Sequence, residues 1–454
     1  MKKDNVMVKG AFVLALGSFI SKFLGALYRV PLTSVIGSYG IGLYQMVFPI
    51  YTLLLDFSGA GAPNAISKLI AENKDNSDVY FNQKILKVSK KLLGVLGGFF
   101  SLFMLIFSFI IAKGQGNSDC SLAYVFLSPS VFLCCMISVF RGYFQGLMEM
   151  KPTSVSQVIE QVIKLVFGLS LAYAFRSNTV FAVSLATLSI TISEIVALLY
   201  LLVKYKKLQV EKTKIKIPKH QEKKLLRLVV KNVIPVSLIG IVMPLIHVAD
   251  SFMIVNILGK YLDNATSVYG LSTGVVHTLV NLPVSICYSI STVAVPIVSK
   301  CSSQDEKSKK GLKTVLFTLL VAGFLALGVF IFSNQFISIL FSRLTVEEHL
   351  ISNKLLKLSS VNILLLSLLQ TENAVMIGQN KLYYPLLSMG IGGVIKIILN
   401  FILLSNPSLN IYGGALALIT CYFVCNLINL GMIFKLRVKN ADKKYRDWQL
   451  SNEK

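Results

Sequence analysis

Ionisable side chains set at helical spacing inside apolar runs are what this sequence offers for chemistry. Ser18, Lys22, Gly25 and Arg29 follow one another at intervals of four, three and four, which puts two cations on one helical face. Gln45, Pro49, Thr52 and Asp56 repeat those intervals and end on an acid. Gln157, Glu160, Lys164 and Gly168 define a third such face, while His247 and Asp250, His277 and Asn281, and Lys396 and Asn400 each stand one turn apart. Glu194 and Glu372 are single acids in apolar surroundings. Groups of this kind suit charge compensation of a bound anion, with proton or cation exchange at the acids and the histidine. They are not set out for covalent catalysis. The sequence has no Gly-rich phosphate loop ending in lysine, no His-Glu-x-x-His and no paired aspartates, so neither an enzyme nor a cofactor is expected.

An ionisable residue near the middle of a bilayer costs about 2.5–3.5 kcal/mol on insertion scales, so these side chains face one another or a water-filled cavity. The candidates for holding a substrate are Lys22, Arg29, Gln157, Glu160, Lys164, Asn281, Lys396 and Asn400. Those for ion coupling are Asp56, Glu194, His247, Asp250 and Glu372. Plainer readings stand beside them. Glu160 and Lys164 are four residues apart and can neutralise each other. Arg29 and Lys357 lie near the ends of apolar runs and can reach toward headgroups, and His247 suits a hydrogen-bonded packing role. Lys22 and Lys396 have no acid at helical spacing on their own helices, which makes them the strongest cavity-lining candidates.

The elements that must position these residues are membrane helices. Of 454 residues 54% are hydrophobic, mean hydropathy is +0.68 and 15% are charged, where a soluble protein carries about 25%. The apolar residues fall in blocks of roughly twenty, the length that crosses a bilayer core. Twelve spans are expected: Gly10–Leu32, Tyr44–Ile66, Leu92–Ala112, Leu122–Phe144, Ser154–Phe175, Thr179–Leu202, Val229–Leu258, Val268–Ile297, Leu312–Phe332, Leu355–Ile377, Tyr384–Leu404 and Gly413–Phe434. The first is read as a retained helix, since no small-residue cleavage site follows it. The net charge of +24 sits in the connections, which marks topology and not a nucleic-acid partner. With both termini cytoplasmic, the inside segments together with the span ends that adjoin them hold 35 of the 45 Lys and Arg and the outer loops hold 5. The seven cysteines show neither a disulfide framework nor metal-ligand spacing.

An internal repeat runs through the chain. Gly146 precedes Lys164 by eighteen residues and Gly378 precedes Lys396 by eighteen, each lysine following Val-Ile. A proline sits six or seven residues after each of those glycines. The first of these stretches includes a charged hinge of Arg141, Glu149, Lys151 and Pro152. Ile36-Gly37, Tyr39-Gly40 and Ser67-Lys68 are echoed by Leu258-Gly259, Tyr269-Gly270 and Ser299-Lys300. The reading is a six-helix lobe over residues 1–205, a basic cytoplasmic linker over 206–226, a second six-helix lobe over 227–436 and a basic tail over 437–454. The halves share orientation, a parallel repeat that sets Lys164 and Lys396 at equivalent places.

The stretches SKFLGALYRVPLTSVIGSYGIGLYQ (Ser21–Gln45), GAPNAISKLIAE (Gly61–Glu72) and VFRGYFQGLMEMKPTSVSQVIEQ (Val139–Gln161) carry a family resemblance. So do YGLSTGVVHTLVNLPVSICYSISTVAVPIVSK (Tyr269–Lys300) and VIKIILNFILL (Val394–Leu404). On them the chain resembles the polysaccharide-transporter branch of the multidrug/oligosaccharidyl-lipid/polysaccharide (MOP) exporter superfamily, whose relatives include the lipid II flippases. The resemblance implies an all-α integral membrane fold of two six-helix lobes in a V, with alternating access to a central cavity. The implied cargo is a polyprenyl diphosphate oligosaccharide such as a peptidoglycan, spore cortex or capsule precursor. Ser21, Lys22, Gly25 and Arg29 loosely match a cavity-facing arginine pattern of the lipid II flippases; the first cation here is lysine, the spacing is one residue longer, and Val30 replaces an aspartate. Sporulation-type members usually have fourteen spans, two more than are expected here. The partners implied are the lipid-linked glycan and the bilayer of the bacterial cytoplasmic membrane, with the protein acting as a monomer. A multidrug or cation antiporter of the same superfamily is the alternative. A membrane-embedded glycan polymerase would need large charged outer loops, and the longest, Ser333–Lys354, holds few charges.

Overall fold

The computed structural model describes all residues except 1, 60, 72–78, 209–218, 300, 302, 380, 382 and 453–454. Among the described residues all regular structure is helical. By packing, the chain divides into two compact units, Met1–Asn256 and Ile257–Lys454.

The first unit holds α1 (Lys2–Ser58), α2 (Ala62–Ala71), α3 (Val79–Ile106), α4 (Ser108–Gly114), α5 (Ser121–Gly146), α6 (Met150–Ala174), α7 (Thr179–Lys207) and nearly all of α8 (Lys219–Leu258). In α1 the helical dihedrals break at Gly37, with φ 72 and ψ −177. A side chain at that φ would be strained, and glycine adopts it freely. Asn178 caps α7, its side-chain oxygen accepting from the Phe181 amide at 3.1 Å. One core cluster joins α2, α3, α5, α7 and the beginning of α8 through Ile66, Leu69, Leu93, Phe140, Leu201 and Val229.

The second unit holds α9 (Ala265–Gly270), a π-helical turn (Leu271–Val276), α10 (His277–Ser299), α11 (Gln304–Ile331), α12 (Ser333–Leu340), α13 (Val346–Ser359), α14 (Val361–Gly378), α15 (Tyr383–Leu404) and α16 (Ile411–Asn452). Ala294, Val298, Val315, Leu368 and Val375 form a core between α10, α11 and α14. Thr345 and Glu348 close a capping box at the start of α13.

The distribution of polarity is that of a membrane protein. Leu320 and Phe324 of α11 are 72% and 78% exposed, while Ser130, Thr187, Ser193 and Glu194 are at most 1% exposed. Apolar faces are turned outward and hydroxyls and an acid inward, because lipid is as apolar as leucine and gives helices no hydrophobic reason to associate. Eleven helical stretches among the described residues are long and apolar enough to span a membrane, against twelve expected. The difference lies at the amino end. The first two expected spans fall in one stretch, Leu16–Ala71, because the short connection between them is itself helical apart from the break at Gly37.

The connections also differ from a reading by composition. Arg141 belongs to α5 and not to a hinge. The expected outer loop before the tenth span is built from α12 and α13. The basic stretch between the halves is helical at both ends, up to Lys207 and from Lys219, with residues 209–218 outside the described residues. The expected tail continues α16 to Asn452. Charged residues of high helix propensity extend a helix past the bilayer as readily as they leave it.

Candidate functional site

The candidate site of the first unit is built on the contact between α1 and α6. Small residues let these helices approach closely. A Cβ on Gly17 would stand 2.6 Å from the Ser154 Cβ, and one on Gly25 would stand 3.1 Å from the Gln161 Oε1. Ser154 donates to the Val13 carbonyl at 2.9 Å, and Ser18 donates to the Gln157 Oε1 at 3.1 Å. Further along, Gly168 receives the Tyr28 hydroxyl. The polar faces legible on each helix are thus pressed together, and the small residues within them are the reason.

Glu160 does not pair with Lys164 one turn on. Its Oε2 accepts from the Arg141 Nη2 at 2.9 Å, and the Arg141 Nε donates to Ser156 at 3.0 Å. A guanidinium offers donors in a planar fork, so Arg141 can hold a carboxylate and a hydroxyl at once where an ammonium cannot do so in one plane. The Lys164 Nζ lies 5.6 Å from the centre of the Tyr28 ring and within electrostatic reach of Glu160, Arg29 and Glu194. Neither Lys164 nor Arg29 forms an ion pair with a described residue. Arg29 is half-buried beside Tyr44.

Glu194 of α7 is 1% exposed. Its Oε1 accepts from the Tyr51 hydroxyl at 2.8 Å and from the Cys134 thiol at 3.0 Å, and Tyr51 meets Ser130 at 2.7 Å. Helices α1, α5 and α7 therefore converge on one buried carboxylate. Elsewhere in this unit, Lys22 is exposed and Asp56 half-buried on α1. His247 and Asp250 face each other on α8, with Nδ1 3.9 Å from Oδ2.

In the second unit Lys396 and Asn400 lie on the buried face of α15, and Glu372 is fully buried on α14. Among the described residues neither oxygen of Glu372 has a well-formed hydrogen bond, and the Asn429 side chain stands within its reach. The Asn429 Nδ2 of α16 donates to the Asn373 Oδ1 at 2.9 Å. Asn281 is half-buried on α10. Among the described residues, no group of three or more His, Cys, Asp or Glu is placed to hold a metal ion.

The structure thus brings Arg29, Gln157, Glu160, Lys164 and Glu194 into one polar region. Lys22, Asp56, His247 and Asp250 lie elsewhere in the first unit, and Asn281, Glu372, Lys396 and Asn400 belong to the second. Sequence reasoning missed Arg141, Tyr51, Ser130 and Cys134. Arg141 carried a signal, a cation inside the apolar run Leu122–Phe144. The other three carried none, since tyrosine, serine and cysteine are ordinary members of apolar helices.

Residues 7–302 match the family described as polysaccharide biosynthesis protein. The chain is 30% identical over 451 residues to stage V sporulation protein B of Bacillus subtilis (strain 168), covering 95% of this chain and 84% of that one. It is 27% identical over 427 residues to lipid II flippase MurJ of the same organism, covering 87% and 77%. A solved inward-facing multidrug resistance MATE family transporter of the MOP superfamily superposes with a TM-score of 0.74 at 14% identity, over 93% of this chain and 95% of that one. At that identity the likeness is one of fold.

Proposed function

This chain belongs to the polysaccharide biosynthesis protein family, and from that premise we propose that it is a flippase for a lipid-linked oligosaccharide. The cargo is a saccharide on a polyprenyl diphosphate, carried across the bacterial cytoplasmic membrane by alternating access. One observation carries the reading. Arg29 and Lys164 lie within a membrane-spanning unit with no acid paired to either among the described residues, while the adjoining Glu160 is held by Arg141. A diphosphate leaving water loses its hydration, and two cations already placed in the membrane offset that loss. The named activity of one relative, lipid II flippase, fits such a cargo.

The role of each residue follows from its chemistry. Arg29 and Lys164 hold the diphosphate, and Lys22, which lies apart from them on α1, is a further candidate for contact with the cargo. Gln157 hydrogen-bonds the saccharide, and Arg141 sets Glu160 as a fixed counter-charge; within the second unit, Asn281, Asn400 and Lys396 are the candidates for substrate contact. Asp56, Glu194, His247, Asp250 and Glu372 are the candidates for coupling transport to a proton or a cation. Binding and release suffice for this task, so the chain acts without covalent chemistry, as a monomer and without a nucleic-acid partner. Both termini face the cytoplasm, as the bias of Lys and Arg toward one side argues.

The alternative, a multidrug or cation antiporter, draws on the MATE fold and on the buried carboxylates Glu194 and Glu372. The two cations without an acid partner favour an anionic cargo over a cationic one. Depletion of the protein followed by analysis of lipid extracts tests the choice. A flippase leaves a polyprenyl diphosphate saccharide accumulated on depletion. An unchanged pool of lipid-linked saccharides, with altered tolerance to cationic drugs, would decide for the antiporter.

A further inference from the structure

We propose that a cleft at the α5–α6 turn binds phosphatidylglycerol, with the lipid phosphate on Lys151 and Lys204 and the headgroup hydroxyls donating to Glu149. The cleft has a volume of about 470 Å3 and lies in the first unit, where α1, the α5–α6 turn and the end of α7 meet. That is room for a headgroup and the first part of its chains. Val13, Met150, Pro152 and Tyr200 give it an apolar wall, and Lys151, Lys204 and Glu149 are its charged members. None of these three forms an ion pair with a described residue; the Lys204 Nζ rests 5.7 Å from the centre of the Tyr200 ring.

Position and shape argue for an amphiphile. Lys151 is the second residue of α6 and Lys204 lies in the last turn of α7, both at ends of membrane-spanning stretches. Cations there, next to an apolar wall, match the level at which a lipid changes from phosphate to hydrocarbon. The backbone adds an independent observation. Met148 has a φ of 61 just beyond the end of α5, where the left-handed conformation ordinarily calls for glycine. Its amide donates to the Gln145 carbonyl at 3.0 Å and the next amide, of Glu149, to the Phe144 carbonyl at 2.9 Å, so the turn depends on that conformation. A side chain at this position is unfavourable for the fold, yet Met148 is 46% exposed and lines the cleft. An apolar side chain there serves an apolar ligand.

The charges select the headgroup. Two lysines and one glutamate leave one net positive charge, which matches a monoanionic lipid. A second phosphate or a carboxylate would meet Glu149. The ammonium of phosphatidylethanolamine would meet two cations and one acid. Phosphatidylglycerol presents one phosphate and free hydroxyls.

Native mass spectrometry of the full chain in detergent tests this, with phosphatidylglycerol and phosphatidylethanolamine of the same acyl chains in competition. The expected result is one tightly retained phosphatidylglycerol, preferred about ten-fold, a difference of about 1.4 kcal/mol. Lys151→Gln with Lys204→Gln should abolish the preference. Lys206→Gln with Lys207→Gln, at the same helix end but outside the cleft, should leave it intact. Met148→Gly should weaken retention while raising the thermal midpoint, an opposition that a purely structural role would not produce. Equal retention of the two lipids by the wild type, or an undiminished preference in the Lys151→Gln/Lys204→Gln variant, overturns the proposal. Displacement of the lipid by an equal concentration of glycerol 1-phosphate overturns it as well, and assigns the cleft to a soluble anion.

Discussion

Glu160 meets Arg141 at hydrogen-bonding distance, and that choice leaves Lys164 beside Tyr28 without an ion pair among the described residues. Two variants at this cluster should therefore fail in different ways. Lys164→Ala, like Arg29→Ala, removes a charge without removing a structural partner. It should lower transport at least about ten-fold, roughly 1.4 kcal/mol of lost cargo stabilisation, while membrane abundance stays near that of the wild type. Full complementation of a deletion by both alanine variants would show that neither cation holds the diphosphate. Arg141→Ala instead strands a carboxylate that is only 21% accessible. It should destabilise the protein by about 1–3 kcal/mol, seen as a lower thermal midpoint in detergent. Replacing both partners, Arg141→Met with Glu160→Met, should restore most of that loss, because an apolar pair leaves no charge without a partner.

Glu194 belongs to the same scale, and its hydrogen bonds make its role separable from its shape. Glu194→Gln keeps an oxygen for Tyr51 and Cys134 but cannot exchange a proton. If this carboxylate couples transport to protons, the variant should fold normally and transport with a flattened dependence on pH. A pH profile parallel to the wild type would remove Glu194 from the coupling machinery.

Helix α1 is held against α6 by the absence of side chains. At Gly17 a Cβ would stand 2.6 Å from the Ser154 Cβ, closer than real Cβ atoms come, so even alanine must move one of the two helices. Gly17→Leu should cost about 1–3 kcal/mol through overpacking. It should also reduce transport, since the Ser18–Gln157 hydrogen bond lies beside the contact. Thermal denaturation and a transport assay on one preparation check both. The two glycines that open the repeat copies behave alike in their own units. Gly146 packs on Ile70 and the Ser67 carbonyl, and Gly378 on Val298 and the Val295 carbonyl. Each lets α5 or α14 end against the backbone of another helix of its unit, which is the physical reason a glycine stands at that place in each copy.

At the scale of the whole molecule, the expected prediction is topological. A reporter fused after Lys207 or after Lys439 should read cytoplasmic, and one after Asn117 or Asn406 external. An external signal after Lys207 would reverse the orientation inferred from Lys and Arg and reopen the span count.

The all-α membrane fold was legible because its cause is local. An apolar run of about twenty residues must satisfy its backbone internally, and the helix is the structure that does so within one segment. The polar faces of α1 and α6 were legible for the same reason, since helical spacing acts over a few residues. The break at Gly37 and the close contact of those two faces were found only in the structure. The partners of the charges were not legible either. Sequence spacing offered Lys164 to Glu160, and only the fold brought Arg141 from nineteen residues away to take that place. The Glu194 cluster draws Tyr51, Ser130 and Cys134 from helices up to 143 positions distant, and none of the three differs from a packing residue in the sequence. Tertiary structure decided these pairings because a buried charge takes the donor that packing brings nearest, and chain separation says little about that.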